Sequence, residues 1–423
     1  MCECVGVDHA YFRASPTTEL GRKCSTVSHM APSAGDLPTL PRYGERSLAE
    51  VLPSALAALG VAGYRNALDL PQARGVCVLL IDGLGHQLLA QHRAWAPYLA
   101  ALADARAPLT AGFPSTTATS IASLATGGPP GEHGIVGYTF RAGVGGPLMN
   151  ALTWREQARA RPADLRDVVV PEDLQPRPTM LEGAAHAGIS TTVAAPPIQA
   201  DSGLTRAVLR GGRFTPARSA GDLAHRIVTA LNAPEPALCY AYFGDLDLTG
   251  HARGPGSFAW LVQLRLVDEM VRMTAEQLPP QTSLVVVADH GMIELPTDNK
   301  LDYDRSPALQ QGVAILGGEV RARHVYAEPG AAADVLAAWR EVLGERAWVR
   351  TRDEAINEGW FGPSVQPRVA ERIGDVVAAM RGSYGVIRSV VEPVESRLIG
   401  HHGSLTPAEQ LVPLIVCGAA SVR

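Results

Sequence analysis

Four short apolar runs in the sequence have side chains that can ligate a metal near one end, three just after the run and one before it. Asp82 follows the run 76–81 in Leu80-Ile81-Asp82-Gly83-Leu84-Gly85, Asp247 and His251 follow 238–243, Asp289 and His290 close 284–288, and His401 and His402 stand just before 414–417. Each has an ordinary rival reading. An Asp after a strand caps the next helix, an Asp beside a His makes a hydrogen-bonded pair, and a His before a Gly is often a loop residue. Taken together they supply three Asp and three His with no Cys, an oxygen and nitrogen set suited to a pair of Zn²⁺ or similar borderline ions about 3.5–4 Å apart. A hydroxyl nucleophile belongs in the Ser/Thr run from Ser115 to Thr126, where Pro114 closes an extended segment and a helix opens. There a hydroxyl meets the positive end of the helix dipole and free backbone N–H groups, which suits a phosphoryl group. Plain N-capping is expected of Ser115 or Thr116, and the residues alone leave the nucleophile open among their neighbours.

Elements must exist that bring these distant residues together. Apolar runs at 76–81, 191–195, 238–243, 284–288, 313–316 and 414–417 read as strands, and helical spacing over 47–59, 94–105, 117–125, 220–231, 258–276 and 331–343 alternates with them. That rhythm predicts an α/β fold with a mostly parallel sheet flanked by helices on both faces. In such a sheet the loops leaving the carboxyl ends of the strands converge on one crevice, so ligands some two hundred positions apart can share a site. The stretches 139–177 and 299–395 interrupt the rhythm with Pro, Gly, Arg and mixed charge, and are expected to be cap insertions that set specificity over a catalytic domain spanning 39–423. Residues 1–38 carry no periodicity and read as a mobile tail, within which translation could begin at Met30.

Composition closes off other classes. The chain has 423 residues, 46% of them hydrophobic, and a formal net charge of −5, with Lys23 and Lys300 its only lysines, so no basic tract is available for nucleic acid or a membrane surface. No run approaches the roughly 18 apolar residues of a membrane span and no signal-peptide core is visible, which together with six scattered cysteines predicts a cytoplasmic protein. Cys77, Cys239 and Cys417 lie in apolar runs and read as buried thiols; Cys2 and Cys4 lack the second pair that a zinc site needs. Asp82-Gly83-Leu84-Gly85 is not a dinucleotide fingerprint, since Leu88 stands where a third Gly is needed.

These motifs resemble the alkaline phosphatase superfamily, and most closely its nucleotide pyrophosphatase/phosphodiesterase branch, over roughly 75–140, 235–295 and 398–418. The resemblance implies an alkaline-phosphatase-like core in which one divalent ion is held by Asp82, Thr117, Asp289 and His290, and a second by Asp247, His251 and His402. Thr117 is singled out as the nucleophile because it lies nine residues before the Thr of Thr126-Gly127, and His402 is preferred to His401 because it precedes Gly403. The implied reaction is hydrolysis of a phosphodiester or nucleotide pyrophosphate through a phospho-threonine, with two ions, Zn or alternatively Mn, and a small phosphate ester or nucleotide as substrate. A phosphomonoesterase or phosphonate hydrolase on the same core is the nearest alternative, and an inactive nucleotide-binding protein is one of another class. Two departures bear on substrate. Tyr138 stands where many relatives carry a phosphate-binding Asn, and with Arg141 it is a candidate substrate contact. The sulfatase pattern Cys/Ser-x-Pro-x-Arg is absent, which argues against sulfate esters.

Overall fold

The computed structural model describes residues 37–157 and 162–418, so all but the end of the expected tail over 1–38, with Cys2 and Cys4, falls outside the described residues. Ten strands carry the architecture: β1 (Gly75–Ile81), β2 (Ser190–Ala195), β3 (Arg213–Pro216), β4 (Ala237–Phe243), β5 (Thr282–Val287), β6 (Val313–Glu319), β7 (Ala322–Ala327), β8 (Ala347–Thr351), β9 (Val376–Met380) and β10 (Ile415–Gly418). A six-stranded sheet has the order β10-β5-β1-β4-β2-β3, parallel except for β10, which runs antiparallel to β5 as edge strands on such sheets often do. Strands β1 and β5 are buried at every residue, as strands covered on both faces must be, and this explains their largely apolar sequences.

The helices follow from local signals. A capping box between Ser47 and Glu50 starts a 3-10 turn, Leu48–Glu50, that runs into α1 (Val51–Ala58). The helix expected over 94–105 is shorter, Pro97–Ala103, because Pro97 sets its first turn. Helix α2 (Thr117–Thr126) ends at Gly127 with φ +63°, a left-handed residue that glycine adopts without penalty. Helices α3 (Ala220–Leu231), α5 (Phe258–Glu276) and α6 (Ala332–Leu343) match the expected periodic runs. Between α3 and α5 lies α4 (Asp245–Arg253), which periodicity missed because its sequence, Asp-Leu-Asp-Leu-Thr-Gly-His-Ala-Arg, has no apolar face.

The run at 313–316 does form a strand, but not in the parallel sheet. It belongs to a four-stranded antiparallel sheet, β6-β7-β9-β8, within the second rhythm-breaking stretch. That sheet buries its own core, with Leu316, Val325, Val376 and Ala378 packed against Trp339 and Leu343 of α6. It is joined to the rest by a wholly buried ion pair in which Arg321, at the β6–β7 hairpin, donates to Glu409 at 2.7 Å. The first such stretch forms a small three-stranded sheet, Thr139–Arg141, Leu148–Asn150 and Arg155–Glu156. Cys77, Cys239 and Cys417 are buried and free, and among the described residues no helix is long and apolar enough to cross a membrane.

Candidate metal centre

β5, β1 and β4 are neighbours in the sheet, so their carboxyl ends deliver Asp289, Asp82 and the first turn of α4 to one place. Two groups result, Asp82 with Asp289 and His290, and Asp247 with His251 and His402; within each, one potential ligand atom from every residue lies within 4.8 Å of the others. The rings of His290 and His402 stack at 3.5 Å between centroids, which sets the two groups side by side.

The hydrogen bonds around each ligand fix which atom is left to face an ion. The Nδ1 atoms of His251, His402 and His290 sit 2.7, 2.9 and 3.0 Å from the carbonyls of Gly400, Ser115 and Gly291, so each Nδ1 carries the proton and each Nε2 presents a lone pair. Two such lone pairs, on His251 and His402, face each other at 3.2 Å. The carboxylates show the same division. Asp289 Oδ1 accepts the backbone N–H groups of Gly83 and His290, while its Oδ2 is buried without a hydrogen-bond partner. Asp82 Oδ1 and Asp247 Oδ1 are likewise buried and unpartnered. One orphaned, buried oxygen on each of three Asp, beside imidazole lone pairs, is unfavourable for protein alone and fits divalent cations.

Charge tells the same story. Burial, then the charges of Asp289 and Asp247, push the Asp82 carboxyl well above the usual range, against one hydrogen bond from Tyr242. Burial opposes ionisation of Asp247 too, but positive charge at this place, carried by a protonated His251 ahead of His402 and His290, holds its carboxyl far below the usual range. Asp247 Oδ2 lies 3.2 Å from His251 Nε2, one turn along α4.

Thr117 is the first residue of α2, almost buried, with Oγ1 3.3 Å from His290 Nε2. Thr116 takes the N-cap position of this helix, as expected of it or Ser115, but its side chain makes no capping bond and pairs with Glu319 instead, while Ser115 donates to the Ser404 carbonyl. His401 donates from Nε2 to the Leu398 carbonyl, so of the two adjacent histidines only His402 joins a ligand group.

Above these residues opens a cavity of about 960 Å³ whose lining includes Asp82, Thr117, Asp247, His251 and His402. Tyr138 lines it, with its phenol hydrogen-bonded to Asn150. Arg141 does not; its backbone N–H donates to Tyr326 Oη and its guanidinium lies 5.6 Å over that ring. Sequence reasoning missed the cationic and acidic walls: Arg155 and Arg166 on one side, and Glu319, Glu392 and Glu395 from the second cap stretch. Arg166 is already engaged by Asp164, and Glu392 by Arg323. For Glu319 a signal existed in hindsight. Gly403, at φ +131°, follows His402, and a Cβ there would come within 2.7 Å of the Glu319 carboxyl carbon, so the hairpin tip needs that glycine.

The family model of type I phosphodiesterase/nucleotide pyrophosphatase matches residues 76–405. No curated protein sequence matches the chain. Solved structures that resemble it include murine ectonucleotide pyrophosphatase/phosphodiesterase 5, inactive and in complex with AMP, at 18% identity and TM-score 0.62, covering 82% of this chain and 88% of that one. The human protein of the same name is 17% identical with TM-score 0.61, covering 81% and 87%. Phosphonoacetate hydrolase from Sinorhizobium meliloti 1021, in complex with phosphonoformate, is 20% identical with TM-score 0.61, covering 84% and 92%.

Proposed function

The chain belongs to the type I phosphodiesterase/nucleotide pyrophosphatase family of the alkaline phosphatase superfamily and is a phosphoric ester hydrolase, and from that premise we propose that it cleaves phosphodiester or nucleotide pyrophosphate bonds through a covalent phospho-threonine at Thr117. The observation that carries this reading is the position of the Thr117 hydroxyl, at a helix N-terminus and beside the ligand group of Asp82, Asp289 and His290. Two divalent ions, Zn²⁺ or Mn²⁺, held by that group and by Asp247, His251 and His402, would supply charge that favours an alkoxide and a phosphoryl oxygen, about +1 in excess over the three carboxylates.

The chain's own residues then do the following. Thr117 Oγ1 attacks phosphorus, the bond to the leaving oxygen breaks, and water later cleaves the Thr117–phosphorus bond to restore the hydroxyl. The N-terminus of α2 points its unpaired N–H groups toward the phosphoryl oxygens. The cavity is far larger than a phosphoryl group, so it has room for the organic group of a diester or nucleotide. Among Glu319, Glu392 and Glu395 on its wall, Glu392 is neutralised by Arg323 and burial pushes the Glu319 carboxyl well above the usual range, so Glu395 is the charge that disfavours the second negative charge of a monoester.

A monoesterase or phosphonate hydrolase would need a cationic clamp, and Arg155, exposed on the cavity wall, is the side chain placed to give one. Hydrolysis of bis-p-nitrophenyl phosphate, p-nitrophenyl phosphate and thymidine 5′-monophosphate p-nitrophenyl ester by protein loaded with Zn²⁺ or Mn²⁺ separates the readings. A diester preference of ten-fold or more, about 1.4 kcal/mol in transition-state binding, is expected. Preference for the monoester would replace the diester reading with the clamp at Arg155, and metal binding without turnover of any ester would point to a binding protein.

A further inference from the structure

Of the three ligating carboxylates, Asp82 alone is held by another residue's hydroxyl. The Tyr242 phenol donates to Asp82 Oδ2, whereas Asp289 is held by two backbone N–H groups and Asp247 lies against a histidine of its own group. The contact follows from the sheet. β4 lies parallel to β1 with Tyr242 opposite Leu80, and the Asp82 N–H donates to the Phe243 carbonyl at 2.9 Å, so a long side chain at 242 reaches just past the end of β1. Gly244 clears the space, since a Cβ there would lie 2.9 Å from the Tyr242 hydroxyl.

We propose that Tyr242 is a positioning residue for Asp82: by occupying Oδ2 it fixes the carboxylate and leaves the buried, unpartnered Oδ1 as the oxygen offered to a divalent ion. The inference rests on the two-metal reading above. It gives the ion at Asp82, Asp289 and His290 an outer support that the ion at Asp247, His251 and His402 does not share. Tyr240 supplies the internal control. It lies two residues earlier on the same face of β4, is more deeply buried than Tyr242, and its hydroxyl has no hydrogen-bond partner among the described residues.

The experiment measures Zn²⁺ and Mn²⁺ dissociation constants on the full chain by competition with a chromophoric chelator, for the wild type, Tyr242→Phe and Tyr240→Phe. Tyr242→Phe is expected to weaken one of the two ions by about 10–100-fold and leave the other within about two-fold, while Tyr240→Phe leaves both within about two-fold. The rise in Tm on adding metal, measured from each protein's own metal-free baseline, should shrink for Tyr242→Phe alone, so a variant that folds less well is still informative. Equal affinities and an equal rise for Tyr242→Phe and wild type would overturn the inference, as would the same loss in Tyr240→Phe. A wild type that binds fewer than two ions would overturn the two-metal reading itself, before any substitution is compared.

Discussion

The six-stranded and the four-stranded sheet are both buried, yet they meet the cavity in opposite ways. The parallel sheet presents three adjacent strand ends, and from them or the segments just beyond come Asp82, Asp247, His251, Asp289 and His290. The antiparallel sheet contributes no potential ligand to either group and touches the cavity through the tip of its β6–β7 hairpin, where Glu319 and Val320 sit. The difference is one of tolerance. A metal site needs several atoms held within tenths of an ångström, which a doubly covered sheet provides, whereas a wall needs only shape and charge, which a hairpin can supply and vary. On the proposed function, chemistry belongs to the first sheet and choice of substrate to the second, and each substitution below should fall on one side of that line.

The largest effect is expected on the chemical side. Thr117→Ala should lower turnover by on the order of 10⁴-fold, about 5.5 kcal/mol, while metal content stays near two ions per chain. Metal analysis beside a diester assay checks this, and retained activity would remove Thr117 from the reaction. The next effect belongs to the joint between the sheets. Arg321→Met leaves the Glu409 carboxylate buried opposite an apolar group, although Ser404 N and Thr406 Oγ1 still donate to it. Loss of about 3–5 kcal/mol of unfolding free energy is expected from denaturant titration. A loss below about 1 kcal/mol would mean that the two sheets are held together by packing instead.

How much of this could be read from the sequence divides along the same line. Asp82, His251, Asp289, His290 and His402 were legible because each stands at the end of an apolar run or beside Gly, and Asp247 because it lies four residues before His251 just past such a run; chain direction in a parallel sheet does the rest. Thr117 needed the family comparison, since hydroxyl-rich helix starts look alike. The walls were not legible. Arg141 follows the cavity-lining Tyr138 closely in sequence, yet its guanidinium lies over the Tyr326 ring. Glu319 was reached only through a hairpin whose partner surface, Gly403, lies 84 positions on. Nothing in the run 238–243 singled out Tyr242, because a contact made across two parallel strands leaves no periodic trace.

Acid should act on both regions at once, which tests whether they unfold separately. His133, in the core, accepts the Ile135 N–H at Nδ1 and meets Ser123 on α2; His324, on β7, accepts the Gly374 N–H at Nδ1 and donates to the Val136 carbonyl. Each is held neutral, chiefly by burial, with pKa lowered to about 3 for His133 and about 4 for His324. Because the folded values lie below the unfolded value near 6.5, the unfolded chain takes up the proton first as pH falls. Stability is therefore unaffected above about pH 6.5 and drops by about 1.4 kcal/mol per pH unit for each histidine, reaching about 3 kcal/mol apiece by pH 4. Urea titrations from pH 7 to 4 measure the slope. His324→Gln should remove about 1.4 kcal/mol per pH unit from it, and two separate transitions would show that the cap sheet unfolds alone.

The smallest effect tests the wall itself. Glu395 is half-buried, lines the cavity, and adds its charge to the field that, with burial as the main cause, raises the pKa of the Tyr138 phenol. It has no ion-pair partner among the described residues, so Glu395→Gln removes a charge without stranding another. At an effective dielectric near that of water, a unit charge some 8–10 Å from a substrate oxygen is worth about 0.5 kcal/mol. Glu395→Gln should therefore raise kcat/KM for a dianionic monoester about two- to three-fold, and for a monoanionic diester by less. The gain should shrink as ionic strength rises toward 0.5 M, where screening shortens the reach of the charge to about 4 Å. A gain that is equal for both esters and indifferent to salt would show that position 395 acts through shape, and that the acidic wall does not choose between one negative charge and two.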